Sequence, residues 1–127
     1  MVVTAGNILD VESYIGGHSV AAADTETYGL SFTDRLFSII IACGDQAFYF
    51  NFKDYPDEGV TALEGREVMG SLVRIFSQTK TWFFHNAKFD LHKLRRFGIE
   101  VKGIIWDTKV NARILQNNLL EIGRAHV

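Results

Sequence analysis

Residues 21–30, AAADTETYGL, do most to restrict what this chain can fold into. A small apolar run ends in two acids, Asp24 and Glu26, with one residue between them. Side chains alternate along a strand, so both carboxylates fall on the same side of it. Two like charges that close repel each other unless protons or cations intervene. A buried strand does not end this way without something to hold the acids. Hard oxygen donors so arranged suit Mg2+ or Mn2+. A solvated strand end before a turn at Tyr28-Gly29 accounts for the pair equally well, because two acids at this spacing are a weak motif on their own.

The runs that follow set the element order. Residues 20–26 read as a strand, and the β-branched run LFSIIIACG at 36–44 as a second. QAFYFNF, residues 46–52, reads as a third, joined to the second through the tight Gly44-Asp45 connection of a hairpin. A polar loop with Pro56 and Gly59 leads to Val68, Met69, Leu72, Val73 and Phe76, whose helical spacing predicts a helix over 65–78. TWFFHN, 81–86, is a short buried strand. Residues 89–97 form a helix closed by Gly98, and 104–106 a further strand. A last helix follows, capped by Asp107-Thr108, with Val110, Ile114 and Leu115 on its apolar face. Right-handed crossovers bring the later strands parallel to the first. The order β-β-β-α-β-α-β-α predicts an α/β, ribonuclease H-like mixed sheet, its second strand antiparallel, with helices on both faces. Periodicity alone also permits other mixed α/β folds.

Composition sets outer limits. The chain has 127 residues, 47% hydrophobic and 22% charged, which suits one domain with one core. Its net charge of −2 excludes a whole-chain basic attraction to nucleic acid. Any polyanion would be held locally. One cysteine, Cys43, excludes an internal disulfide and a cysteine zinc site, and it reads as a buried apolar residue. No run reaches membrane-spanning length and no signal peptide is visible, so no membrane partner and a cytoplasmic setting are expected.

Two further constellations follow apolar strands. In HNAKFDL, residues 85–91, Asn86 and Asp90 are four apart and share a helix face if the helix begins early. Parallel units build sites outside the carboxyl ends of their strands. Asp24, Glu26, Asn86 and Asp90 therefore converge on one rim. Helix capping by Asn86 and a surface Asp90 is the plainer alternative. In WDTKVNARIL, Asp107 ends another strand on the same rim. Neighbouring strands lie about 4.8 Å apart, which sets it too far from Asp24 for a shared ion and favours capping.

The segments ADTETYGL, HNAKFDLHKL and WDTKVNARIL, in that order and spacing, resemble successive motifs of the 3'-5' exonuclease domain of family A DNA polymerases. That family sits within the DnaQ-like, or DEDD, exonuclease superfamily. The resemblance covers residues 20–120, with 1–19 as a lead-in. It implies two divalent cations, Mg2+ or Mn2+, with Asp24, Glu26 and Asp90 as catalytic metal ligands and Asp24 bridging both ions. It implies a substrate contact from Asn86 and an accessory role for Asp107. Thr25, Tyr28, Leu30 and Phe89 lie beside the acids as candidate substrate contacts, with core or rim packing the alternative for Tyr28, Leu30 and Phe89. Phe89 reads rather as a packing residue, and Lys88, His92, Lys93, Arg95 and Arg96 either meet phosphates or form a solvated helix face. His85 is a candidate packed strand residue, and Trp82 and Trp106 read as core. The implied reaction is two-metal hydrolysis at a single-stranded DNA 3' end, as the proofreading part of a polymerase chain. Ribonuclease D-like trimming of RNA 3' ends shares these motifs, and a non-catalytic nucleic-acid-binding module on the same fold is a third reading.

The chain departs from the family pattern at its third motif, a Tyr or His four residues before an Asp. No Asp occurs after Asp107. The tail EIGRAHV, residues 121–127, has among its possible codons a run resembling a sequencing adapter, so it is expected to be non-native and the gene cut near Leu120. A fragment lacking that motif is expected to have little activity.

Overall fold

The computed structural model describes residues 1–31, 33–64 and 66–109. The expected helix face of Val110, Ile114 and Leu115 and the tail at 121–127 lie outside the described residues. The elements are α1 (Ile8–Gly16), β1 (Val20–Thr27), β2 (Leu36–Cys43), β3 (Gln46–Asn51), a 3-10 turn (Pro56–Glu58), α2 (Arg66–Ser77), β4 (Thr81–Phe84), α3 (Ala87–Arg96) and β5 (Ile104–Asp107). The strands form one sheet in the order β3-β2-β1-β4-β5. β2 runs antiparallel to β1 and β3, whereas β4 runs parallel to β1 and β5.

The β2–β3 hairpin follows from its sequence. Two β-branched and aromatic runs meet across Gly44-Asp45, with Cys43 opposite Gln46. Gly44 has φ +58, a backbone conformation that favours glycine, and a Cβ there would lie 2.6 Å from the Tyr14 hydroxyl, so that side chain would also have to shift.

Alternation along β1 divides the sheet into two faces. Ala21, Ala23 and Thr25 are buried, while Ala22, Asp24 and Glu26 are exposed. The buried face continues through Ile39, Ile41, Phe48, Phe50 and Trp82. Helices α1, α2 and α3 cover it. Phe76 of α2 stacks on Trp82 at 4.6 Å, and Tyr14 of α1 meets Phe48 edge-on at 5.4 Å. Burial of these rings supplies much of the hydrophobic driving force. The opposite face carries Ala22, Ile40, Ala42 and Phe83, beside which a helical turn opens at Thr108. The fold is thus an α/β mixed sheet with helices on both faces.

Residues 1–19 are built into this architecture. Residues 1–3 lie along β3, with Val3 N–H donating to Tyr49 O and Tyr49 N–H to Met1 O, both at 2.9 Å. Helix α1 buries Ile8, Val11 and Ile15, and its Glu12 accepts from Arg74 and Ser71 of α2. Lys80 is buried, and its Nζ donates to Ile15 O and His18 O at 2.6 and 2.8 Å, closing the end of α1. Burial lowers the pKa of that ammonium. Trp106, expected in the core, is 46% exposed: it lies beside Phe83 on the face opposite Trp82, on the outermost strand among the described residues. No helix among the described residues is long and apolar enough to cross a membrane.

Candidate active site

The site arises where β1 outruns β4. The β1–β4 ladder ends at Ala22 and Phe83, while β1 continues beside β2 as far as Thr27. Asp24, Thr25 and Glu26 thus lie beyond the parallel partner, at the carboxyl end of the strand. The first turn of α3 approaches this stretch from the buried face. Thr25 Oγ1 donates to Asp90 Oδ1 at 2.6 Å, a buried contact between residues 65 apart in the chain.

Asp90 is only 3% exposed, and its other oxygen, Oδ2, is buried with no hydrogen-bond partner. Burial raises its pKa most. The Thr25 hydroxyl opposes that shift, while the charges of Asp24 and Asp107 add to it, leaving the carboxyl pushed up to about 6. Asp24 is therefore within electrostatic reach of Asp90. A buried carboxylate oxygen left without a partner is a group that a hard cation can satisfy.

Glu26 is exposed on the same side of β1 as Asp24, as alternation requires. Its Oε2 accepts from Ser38 Oγ at 3.3 Å. Asp24 Oδ1 accepts from the Thr25 N–H at 2.9 Å. Among the described residues, no three His, Cys, Asp or Glu side chains are gathered closely enough to hold a metal ion. The structure places Asp90 against Thr25 on the buried side of β1, within electrostatic reach of Asp24, which alternation turns to the exposed side together with Glu26, and Glu26 bonds to Ser38 of β2.

Asp107 joins the other side of the rim. Asn86, at the start of α3, has φ 103 and ψ 62, and its side chain makes no capping hydrogen bond. It is the one non-glycine residue with positive φ among those described. The Asp107 carboxylate accepts from the Asn86 N–H at 3.2 Å and the Ala87 N–H at 2.8 Å. It also accepts from the Lys109 N–H at 3.0 Å. One side chain therefore caps its own helical turn, as the sequence suggests, and also the N-terminus of α3. The parallel register that sets Phe84 opposite Asp107 makes the second cap possible. The α3 helix begins at Ala87, two residues earlier than the sequence pattern indicates, so Asp90 falls in its first turn. His85 is exposed rather than packed, and its Nδ1 lies 2.9 Å from Thr108 Oγ1.

Tyr28 and Leu30 are 57% and 92% exposed beside the acids. Thr25 is buried, and Phe89 is half-buried with Lys93 Nζ 5.2 Å from its ring centre. Lys93 corrects the reading of a basic helix face. It is 1% exposed, and its Nζ donates to Ser31 O at 2.6 Å and Asp34 O at 2.5 Å. This ammonium ties down the loop after β1 and is turned away from solvent. Sequence reasoning missed that role, since a lysine on an amphipathic helix reads as a surface charge.

Residues 2–121 match a family described as 3'-5' exonuclease. The chain belongs to the 3'-5' exonuclease family. This exonuclease domain is of the DEDD, DnaQ-like superfamily. It is 32% identical over 105 residues to DNA polymerase I A, chloroplastic/mitochondrial, of Arabidopsis thaliana, covering 75% of this chain and 10% of that protein. It superimposes on Escherichia coli RNase D, an exoribonuclease involved in structured RNA processing. The TM-score is 0.65 at 21% identity, covering 88% of this chain and 28% of that one. Brucella melitensis NrnC with bound Mg2+ gives a TM-score of 0.58 at 26% identity, covering 80% and 47%. The exonuclease chain described here thus spans less than half the length of each of these relatives.

Proposed function

We propose that the chain is a divalent-cation-dependent 3'-5' exonuclease domain of the RNase D kind, which trims single-stranded RNA from its 3' end. The observation that carries this reading is the buried, half-satisfied carboxylate of Asp90, held by Thr25 at the end of β1 and within electrostatic reach of Asp24. Asp24 and Asp90 would hold the cation, with Glu26 joining once its carboxylate leaves Ser38. When bound, divalent cations neutralise charge on a scissile phosphate and its leaving oxygen. Thr25 holds Asp90 Oδ1, which leaves Oδ2 as the donor oxygen. Asp107 holds the Asn86 turn that opens α3 and so fixes where Asp90 stands. Tyr28 and Leu30 offer exposed apolar surface to the terminal bases. The RNase D likeness and the Mg2+ bound by NrnC support the RNA reading and the cation. A DNA-proofreading role is the second reading, favoured by the 32% identity to DNA polymerase I A.

The test is digestion of 5'-labelled single-stranded RNA and DNA of matched sequence in Mn2+. Because the sequence supplies no Asp after Asp107, the expected rate is low, and the protein is used in excess over the oligonucleotide. The expected result is a 3'-shortened ladder, faster on RNA and abolished in Asp24→Ala. Faster loss of DNA would transfer the assignment to proofreading. Trimming unaffected by Asp24→Ala, or no trimming at all under these conditions, would refute the exonuclease reading.

A further inference from the structure

We propose that Lys53, Tyr28, Phe37 and Tyr55 form a second nucleotide subsite, which takes an unpaired base and its phosphate upstream of the 3'-terminal residue. This inference rests on the exonuclease reading above.

The cluster is built by the end of the hairpin. Beyond β3, the Phe52 N–H still donates to Phe37 O at 2.7 Å, so Lys53 and Tyr55 return across the end of β2. Three rings surround the Lys53 ammonium, with Nζ 5.1 Å from the centre of Tyr28, 5.2 Å from Phe37 and 5.3 Å from Tyr55. Tyr28 and Phe37 lie 5.2 Å apart at 54°, and Phe37 and Tyr55 6.4 Å apart at 66°. None of these rings belongs to the core, and that of Tyr28 is more than half exposed.

Lys53 differs from the other lysines that the fold positions. Lys80 and Lys93 are buried and donate to backbone carbonyls. Lys53 Nζ makes no hydrogen bond or ion pair among the described residues; three ring faces surround it, with Glu26 and Glu58 within electrostatic reach of the Tyr55 ring. Ring faces hold an ammonium without neutralising it, and its N–H donors stay available to an anion. The cluster therefore offers π surface and an uncommitted cation together. An unpaired nucleotide carries the complement of both, a stacking base and a phosphate. An acidic peptide would match only the charge.

Position ties the cluster to the acids. Tyr28 follows Glu26 by two residues, just past the end of β1, and Tyr55 lies within electrostatic reach of Glu26. A strand whose 3' end lies at Asp24 and Asp90 would pass Glu26 and reach these rings.

The experiment is fluorescence anisotropy of a labelled single-stranded RNA 12-mer in EDTA, where cleavage is absent, over a salt series. Tyr55→Ala and Tyr28→Ala are each expected to weaken binding about tenfold, from the typical contribution of one stacked base. Tyr55→Phe keeps the ring and is expected to bind within about twofold of wild type. Lys53→Ala should weaken binding and make the slope of log affinity against log salt shallower by about 0.7, the value for one phosphate contact on a single strand. Lys53→Arg should restore that slope, a result that a merely structural role for Lys53 would not give. Wild-type binding with unchanged affinity and salt slope in Lys53→Ala and Tyr55→Ala would overturn the subsite and leave the exonuclease reading standing. No RNA or DNA binding by the wild-type chain would end both.

Discussion

Replacing Asp90 by Asn is expected to stabilise the protein at neutral pH while removing its response to divalent cations. Asp90 is buried, takes one hydrogen bond from Thr25 and leaves Oδ2 unsatisfied. Burial, with Asp24 and Asp107 adding, lifts its carboxyl from the ordinary 3.8 to about 6. The folded protein therefore holds this proton more tightly than the unfolded chain does. The stability that comes with the proton is fully present below 3.8. It is lost as pH rises through about 6 and stays lost above that. The difference corresponds to roughly 3 kcal/mol of ionisation cost near pH 7.5, and well under about 1 kcal/mol near pH 4. Asn keeps an acceptor for Thr25 and carries no charge, but sets an amide where Oδ2 stands, at a cost of about 1–2 kcal/mol. A net gain of roughly 1–2 kcal/mol near pH 7.5 remains, with none near pH 4. Urea unfolding in EDTA at the two pH values measures it. Adding Mn2+ at about 100 times its dissociation constant should then stabilise wild type by roughly 2.7 kcal/mol and leave the Asn variant unmoved. An Asn variant less stable near neutrality than near pH 4, relative to wild type, would refute the reasoning. So would equal stabilisation of both proteins by Mn2+.

Three other substitutions probe the frame of the site. Asp107→Ala strips a carboxylate from the N–H groups of Asn86, Ala87 and Lys109. It should cost about 1–3 kcal/mol in urea unfolding, with amide exchange accelerated first at the start of α3. Lys93→Met removes the ammonium donor to Ser31 O and Asp34 O, leaving Ser31 O only its bond from the Asp34 N–H at 3.2 Å. Amide exchange and proteolysis should rise in the loop after β1, with stability lower by about 1–3 kcal/mol. Gly103→Ala forces a side chain onto φ +102 and sets its Cβ 2.2 Å from Lys80 O. A loss of about 2 kcal/mol or more is expected in thermal unfolding, and an Ala variant as stable as wild type would show that β5 enters the sheet differently.

Much of the fold was legible because its signals are local. The strand at 20–26, the hairpin at Gly44-Asp45 and the helix at 65–78 each announce themselves within a dozen residues, by alternation, turn chemistry or helical spacing. The α1 helix carried the same kind of signal in Ile8, Val11 and Ile15, and could have been found by it. Trp106 was misread because composition identifies a ring that favours burial but not which face of the sheet it takes or whether its strand lies outermost. Lys93 was misread because its partners, the carbonyls of Ser31 and Asp34, lie about 60 residues earlier in the chain, and backbone carbonyls leave no trace in sequence.

By itself the sequence determined that Asp24 and Glu26 share one side of a strand end and that a second acid, Asp90, rides on a helix following a parallel strand. Those are consequences of periodicity, which neighbouring residues impose on one another. Only the tertiary structure decided that Thr25 would hold one oxygen of Asp90 and leave the other bare, that Asp107 would cap the helix carrying it, and that Lys53 would face three rings. Burial, electric field and unsatisfied valence belong to atoms brought together from distant parts of the chain, and local pattern does not encode them.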